Sequence, residues 1–245
     1  SFTGNVVAIA GAATDIGLIT VLYLTERGAR CLYQISVKRL SQEIKSRFPD
    51  TGLLAPFIDV SDSFQAGQWI KNTIDNSGSL HGAVNLAGVL HNSTPNFVDI
   101  QDQDWNRVIS FNLSGIVYPM RAEITVMEKG GSIFKVSSVA GLMARPGVVA
   151  YAASKAAVIS LARSATKEIG AGEIQVNAIC PSGIDTPISR QLLDQGCTDE
   201  MVLEPHAIKP FRKVEEARAL IGFLLRDDSK YITGETIRID GGMCA

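Results

Sequence analysis

Short apolar runs separated by helix-length segments leave this chain few folds to adopt. The runs are Val6–Ala10, Cys31–Ile35, Leu53–Ile58, Ala83–Leu86, Ser132–Ser137, Gln175–Cys180 and Thr236–Ile239. Each has the length and composition of a buried strand. Helical patterns fall between most of them, at Ile16–Arg27, Ser41–Phe48, Phe64–Asn76, Trp105–Met127, Tyr151–Ile169 and Val214–Leu225. Strands alternating with helices predict an α/β fold, a doubly wound parallel sheet of about seven strands with helices on both faces. Such sheets bind ligands at the carboxyl ends of their strands. The chain of 245 residues suits one domain, 1–245, with no linker or repeat. One stretch breaks the alternation: 187–211 scatters Leu192, Leu193, Met201, Val202, Leu203, Ile208 and Phe211 among polar residues. Long ordered insertions of this kind are often lids.

The first strand runs into Gly11-Ala12-Ala13-Thr14-Asp15-Ile16-Gly17 and then a helical pattern that Gly28 ends. Gly11 permits a tight turn, and Gly17 permits close packing of helix on strand. The helix start then offers free N–H groups and a positive dipole end to a pyrophosphate.

Tyr151 and Lys155 sit four residues apart in an Ala-rich run free of Gly and Pro. Ala leads the helix-propensity scale, and positions i and i+4 share a helix face. The Lys155 ammonium is therefore expected near the Tyr151 hydroxyl, where a positive charge would lower the tyrosine pKa and make it a proton donor near neutrality. Ser138, at the end of a strand, adds a hydroxyl donor of the kind that stabilises a developing oxyanion. Asn112 lies mid-helix in Phe111-Asn112-Leu113, where asparagine is a poor helix former.

Taken together, Gly11 to Gly17, Asn85-Leu86-Ala87-Gly88, Asn112, Ser138, Tyr151-x-x-x-Lys155 and Pro181 resemble the short-chain dehydrogenase/reductase family, in order and over essentially the whole chain. The resemblance implies a Rossmann-type fold and hydride transfer between a nicotinamide cofactor and a ketone or secondary alcohol. It implies that Tyr151 donates the proton, with Lys155 also holding the nicotinamide ribose and Asn112 a water joining Lys155 to solvent. It places Gly11, Asp15, Ile16 and Gly17 at the cofactor, Asp59 and Val60 at the adenine edge, and Asn85, Ala87 and Gly88 along the adenosine side and the central sheet. Ile184 and Thr186, after Pro181, would meet the carboxamide. It further implies a homo-oligomer, most simply a tetramer, paired through 105–127 and 151–169 with Ala152, Ala156 and Ser160 at a close approach.

The chain departs from the family pattern in three places. Asp15 stands where a third glycine is usual, Ala10 where a threonine is usual, and Ser182 where a glycine follows the proline. A carboxylate at Asp15 should repel a pyrophosphate, although it also suits a helix start. No acid occurs between Tyr33 and Arg39 to hold a ribose 2′-hydroxyl. Ser36, Lys38 and Arg39 suit a 2′-phosphate instead, which favours NADP(H) over NAD(H). A cofactor-binding relative with a sensor, scaffold or non-redox biosynthetic role is the alternative that Asp15 and Ser182 would suit.

The net charge of −2 leaves no electrostatic footprint for nucleic acid or an anionic membrane. No apolar stretch nears the roughly 18 residues of a spanning helix. Cys31, Cys180, Cys197 and Cys244 lack metal-ligand or paired spacing, so no metal site is expected and reduced thiols in a cytoplasmic enzyme fit best. The partner expected is a small molecule. Val89, Leu90, Leu142 and Met143 with the apolar lid suggest a bulky, mostly apolar substrate of the kind met in secondary metabolism. His91 and His206 are expected at the surface or against its polar groups.

Overall fold

In the computed structural model, the described residues are 1–12, 15–34, 46, 52–55, 58–209 and 211–245. Seven parallel strands form one sheet: β1 (Val6–Ala10), β2 (Arg30–Gln34), β3 (Gly52–Ala55), β4 (Gly82–Asn85), β5 (Ser132–Val136), β6 (Gln175–Pro181) and β7 (Thr236–Ile239). Their order is β3-β2-β1-β4-β5-β6-β7. The order reverses direction between β1 and β4, which are in register from Val7 opposite Gly82 to Ala10 opposite Asn85. That reversal opens the crevice where a doubly wound sheet binds its ligand.

Alternation along each strand sorts the core to two faces. Val7 and Ile9 of β1, Val84 of β4, Phe134 of β5 and Ile179 of β6 share a cluster with Val21, Leu24, Ile221 and Leu224. These belong to α1 (Asp15–Thr25) and α8 (Val214–Leu224). Val6, Ala8 and Ala10 face the other way, onto Trp69 and Ile70 of α2 (Ser63–Ser77). Ala83, Ile133, Val176 and Ala178 on that same side meet Met120 of α4 (Gly115–Val126) and Ile159, Ala162 and Ala165 of α5 (Val149–Ile169). Strands buried on both faces explain the near-continuous apolar runs.

One expectation meets a correction. The helix expected over 105–127 is divided into α3 (Asp102–Ile109), a π-turn (Ser110–Ser114) and α4. The Gly115 N–H reaches back to the Ser110 carbonyl, the wide turn that marks π-bulges. Glycine at this point lets Val60 close in, since a Cβ on Gly115 would lie 2.9 Å from Val60 Cγ2. The 187–211 stretch carries α6 (Pro187–Asp194) and α7 (Asp199–Leu203). Thr186 caps α6 in a reciprocal box with Ser189, an N-terminal signal that the sequence reading passed over. The helix expected over 41–48 lies outside the described residues, Ser46 excepted.

Candidate active site

A cavity of about 710 Å³ opens at the carboxyl ends of β1, β4, β5 and β6. Gly11, Gly88, Ser138, Tyr151, Lys155 and Pro181 line it from the sheet side, and Ile188, Leu192, Met201 and Val202 line it from 187–211. Tyr151 is the third residue of α5 and Lys155 lies one turn on. The Lys155 Nζ sits 5.5 Å from the Tyr151 ring centroid and donates to the Val136 carbonyl oxygen at 2.8 Å. The Ser137 hydroxyl donates to the Lys155 carbonyl at 2.7 Å. A Cβ on Gly141 would come within 2.7 Å of the Lys155 and Ala156 backbone. The β5 end and α5 are thus locked at close approach, with Ser138 between them.

In the site as it stands, burial outweighs the lowering of the Tyr151 pKa expected from Lys155. Burial pushes the phenol up to about 12, and the neighbouring Ser138 hydroxyl opposes this only in part. Burial pushes the Lys155 ammonium down to about 8. The same desolvation acts on both groups and favours the neutral form of each.

Asn112 lies in the π-turn and is fully buried. Its Oδ1 accepts from the Val89 N–H at 2.7 Å, and its Nδ2 donates to the Val89 carbonyl at 2.9 Å and to Ser154 Oγ at 3.1 Å. The amide thus ties the segment after β4 to α5. The wide turn explains an asparagine in what reads as a helix interior. A Cβ on Gly88 would stand 3.3 Å from both Asn112 Oδ1 and Lys155 Nζ, so these three residues meet.

The glycine turn fits a dinucleotide. Gly11 adopts φ +80, and a Cβ there would lie 2.6 Å from the Ala87 nitrogen; on Gly17 it would lie 2.2 Å from the Gly11 oxygen. A side chain at either glycine would clash with backbone, and Gly11, Asp15, Ile16, Gly17 and Ala87 all line the cavity. Pro181, Ile184 and Thr186 line it from the β6 side.

A family model described as enoyl-(acyl carrier protein) reductase matches residues 11–244. The short-chain dehydrogenase/reductase aba4 of Botryotinia fuckeliana is 35% identical over 254 residues, covering 98% of this chain and 97% of that protein. The chain belongs to the short-chain dehydrogenase/reductase family. Chanoclavine-I dehydrogenase ifgE of Penicillium roqueforti is 32% identical over 260 residues, with 99% of each covered. The solved structure of levodione reductase superposes with a TM-score of 0.90 at 28% identity, covering 100% of both chains. As a member of this family the protein is an oxidoreductase that moves hydride between a nicotinamide cofactor and an alcohol or ketone.

The remaining expected residues among those described lie at or beyond the cavity's edge. Asn85 turns from the crevice, its Nδ2 donating to Glu123 Oε2 at 3.0 Å in the core. Asp59 accepts from the Ser61 N–H and hydroxyl at 2.9 and 2.6 Å, and neither it nor Val60 lines the cavity. Ser36, Lys38 and Arg39 lie outside the described residues. Leu90 and Met143 line the cavity, whereas Val89 and Leu142 do not. Ser182 is accommodated: Gly183 beside it takes φ +62, and the Ser182 hydroxyl lies 3.0 Å from His206 Nε2. Both His91 and His206 are buried, at 0% and 4% exposure, against the surface placement expected. Sequence reading also missed Cys197 and Met243 on the cavity wall; their loops carry no periodic signal.

Proposed function

We propose that this chain is an NADP(H)-preferring enzyme that interconverts a ketone and a secondary alcohol on a bulky, mostly apolar substrate. The observation that carries the reading is that Tyr151, Ser138 and Lys155 line one cavity together with the apolar Ile188, Leu192, Met201 and Val202 of 187–211. The 187–211 segment acts as the substrate lid, and 1–245 as one domain served by the single sheet. A relative named for chanoclavine-I supports a secondary-metabolite substrate, and a solved neighbour named as a levodione reductase supports a ketone substrate.

When bound, the cofactor supplies the hydride. As negative charge builds on the substrate oxygen, the Ser138 hydroxyl donates to it and Tyr151 delivers the proton. Lys155, held at Val136, places a positive charge behind the phenol. Asn112 fixes the loop after β4 against α5. Apolar lid residues exclude water. Ala156 and Ser160 are exposed on α5 and Ala152 is half-buried, which supports subunit pairing through that helix in a homotetramer.

The alternative, cofactor binding without redox turnover, rests on Asp15 and Ser182, whereas Asn112, Ser138, Tyr151 and Lys155 favour the enzyme. Titration of Trp69 and Trp105 fluorescence with NADPH and NADH, followed by a panel of bulky ketones, tests the reading. Tighter NADPH binding with reduction of at least one ketone is expected. Binding without turnover across the panel would favour the alternative.

A further inference from the structure

His91 lies outside the cavity wall but touches both halves of the site. Its Nε2 accepts from the backbone N–H groups of Ala150 and Tyr151, at 3.1 and 3.3 Å. These are free donors in the first turn of α5, which has no side-chain cap from its own N-cap residue, Val148. An accepting Nε2 fixes the tautomer, so the proton is on Nδ1, 3.2 Å from Asp104 Oδ2. Asp104 is itself held by Arg107 at 2.9 Å and by the Asn92 N–H at 3.3 Å. Arg107 also donates to the Leu90 carbonyl at 2.6 Å. Burial pushes the Asp104 carboxyl up, but these bonds and the Arg107 charge prevail and hold it below its ordinary value. The His91 carbonyl oxygen accepts from Gln191 Nε2 at 2.7 Å and Gln195 Nε2 at 3.0 Å. Gln191 lies in α6 and Gln195 caps its C-terminus, within the segment that lines the cavity together with Tyr151.

We propose that His91 is a positioning residue that joins the substrate lid to the tyrosine helix: its ring holds the start of α5 and its carbonyl holds α6. The proposal rests on the reading of Tyr151 as the proton donor. Seating the lid then steadies the backbone that aims the phenol, so substrate capture and proton delivery are linked through one residue. The network is fully directional, since each donor meets an acceptor only with the ring neutral and Nδ1 protonated.

The test uses the full chain with NADPH and the best ketone of the panel, with amide exchange followed at Ala150 and Tyr151. His91→Leu should lower kcat about 10-fold or more with NADPH affinity within about two-fold, and should speed exchange at both amides. His91→Gln can place Oε1 where Nε2 stands, so it should return kcat and exchange to within about three-fold of wild type. The double variant Gln191→Ala/Gln195→Ala, which alters partly exposed lid side chains, should raise KM and also speed exchange at Ala150 and Tyr151. Unchanged kcat and exchange in His91→Leu would overturn the proposal, as would a folded glutamine variant as impaired as the leucine one. If His91→Leu does not fold, the other two variants decide. If Tyr151→Phe keeps its turnover, the acid assignment fails and the exchange results alone judge the His91 link. Exchange that ignores the lid glutamines contradicts it under either reading of Tyr151.

Discussion

Lys155 Nζ donates to the Val136 carbonyl oxygen at 2.8 Å, so the cation of the active site is fastened to the end of β5 rather than to the tyrosine it serves. Burial drives its pKa down to about 8. Ketone reduction should therefore hold steady near neutrality and fall as pH passes about 8, where the charge behind Tyr151 is lost; kcat/KM measured against pH checks this.

The same burial costs stability. The folded pKa of about 8 lies below the ordinary value of 10.5, so between those values the unfolded chain binds more protons. Stability then rises with pH across that window, and the full penalty is present below pH 8. Lys155→Met should abolish turnover yet raise Tm at pH 7, with a gain in unfolding free energy of up to about 3 kcal/mol less the lost Val136 hydrogen bond. The gain should vanish near pH 10.5. A lower Tm for Lys155→Met at pH 7 would refute the burial argument.

Asp15 adopts φ 56 at the first position of α1. A left-handed residue with a Cβ costs roughly 1–2 kcal/mol, less for Asp and Asn than for others. Arg190 in α6 is held in its charged form chiefly by Asp185, with a smaller contribution from the Asp15 carboxylate. Asp15→Gly should relieve the strain and tighten NADPH several-fold, and Asp15→Asn should keep part of the gain. Asp15→Ala should lose about 1 kcal/mol of stability. Thermal melts and cofactor titrations of the three variants separate strain from charge. Weaker NADPH binding in both the Gly and Asn variants would make Asp15 a cofactor ligand.

Glu123 and Lys135 are buried behind the crevice within electrostatic reach of each other, and Glu123 Oε2 accepts from Asn85 Nδ2 of β4. Burial pushes Glu123 up to about 7 and Lys135 down to about 7, each partly offset by the other's charge. Glu123→Leu or Lys135→Met alone should cost about 3–5 kcal/mol by stranding the other charge, whereas the double variant should cost far less than their sum. Chemical denaturation of the four proteins measures the coupling; additive losses would show that the pair does not interact.

Local signals made much of this legible. The Val6–Ala10 run and the Thr236–Ile239 run announce themselves by composition and appear as β1 and β7 with the expected bounds. Ala-rich α5 carries its own propensity, so the Tyr151–Lys155 spacing placed both side chains on one cavity wall. What the sequence hid depends on distance along the chain. His91 caps a helix 59 residues away; Asn112 is buried because a π-turn swings it to Val89; and Asn85 turns inward because Glu123 waits there. Desolvation of Tyr151 is likewise a property of the packed site, which residue spacing does not encode. The bounds of α1 shift by a residue or two because helix ends are set by caps and tertiary contacts.

Tyr151→Phe tests the central claim most directly. The substitution removes the hydroxyl beside Ser138 and leaves the ring to fill its buried place. With NADPH and a ketone that the wild type reduces, turnover should fall by roughly 10²-fold or more while the NADPH dissociation constant stays within about two-fold. Turnover within a few-fold of wild type would contradict the assignment of Tyr151 as the proton donor.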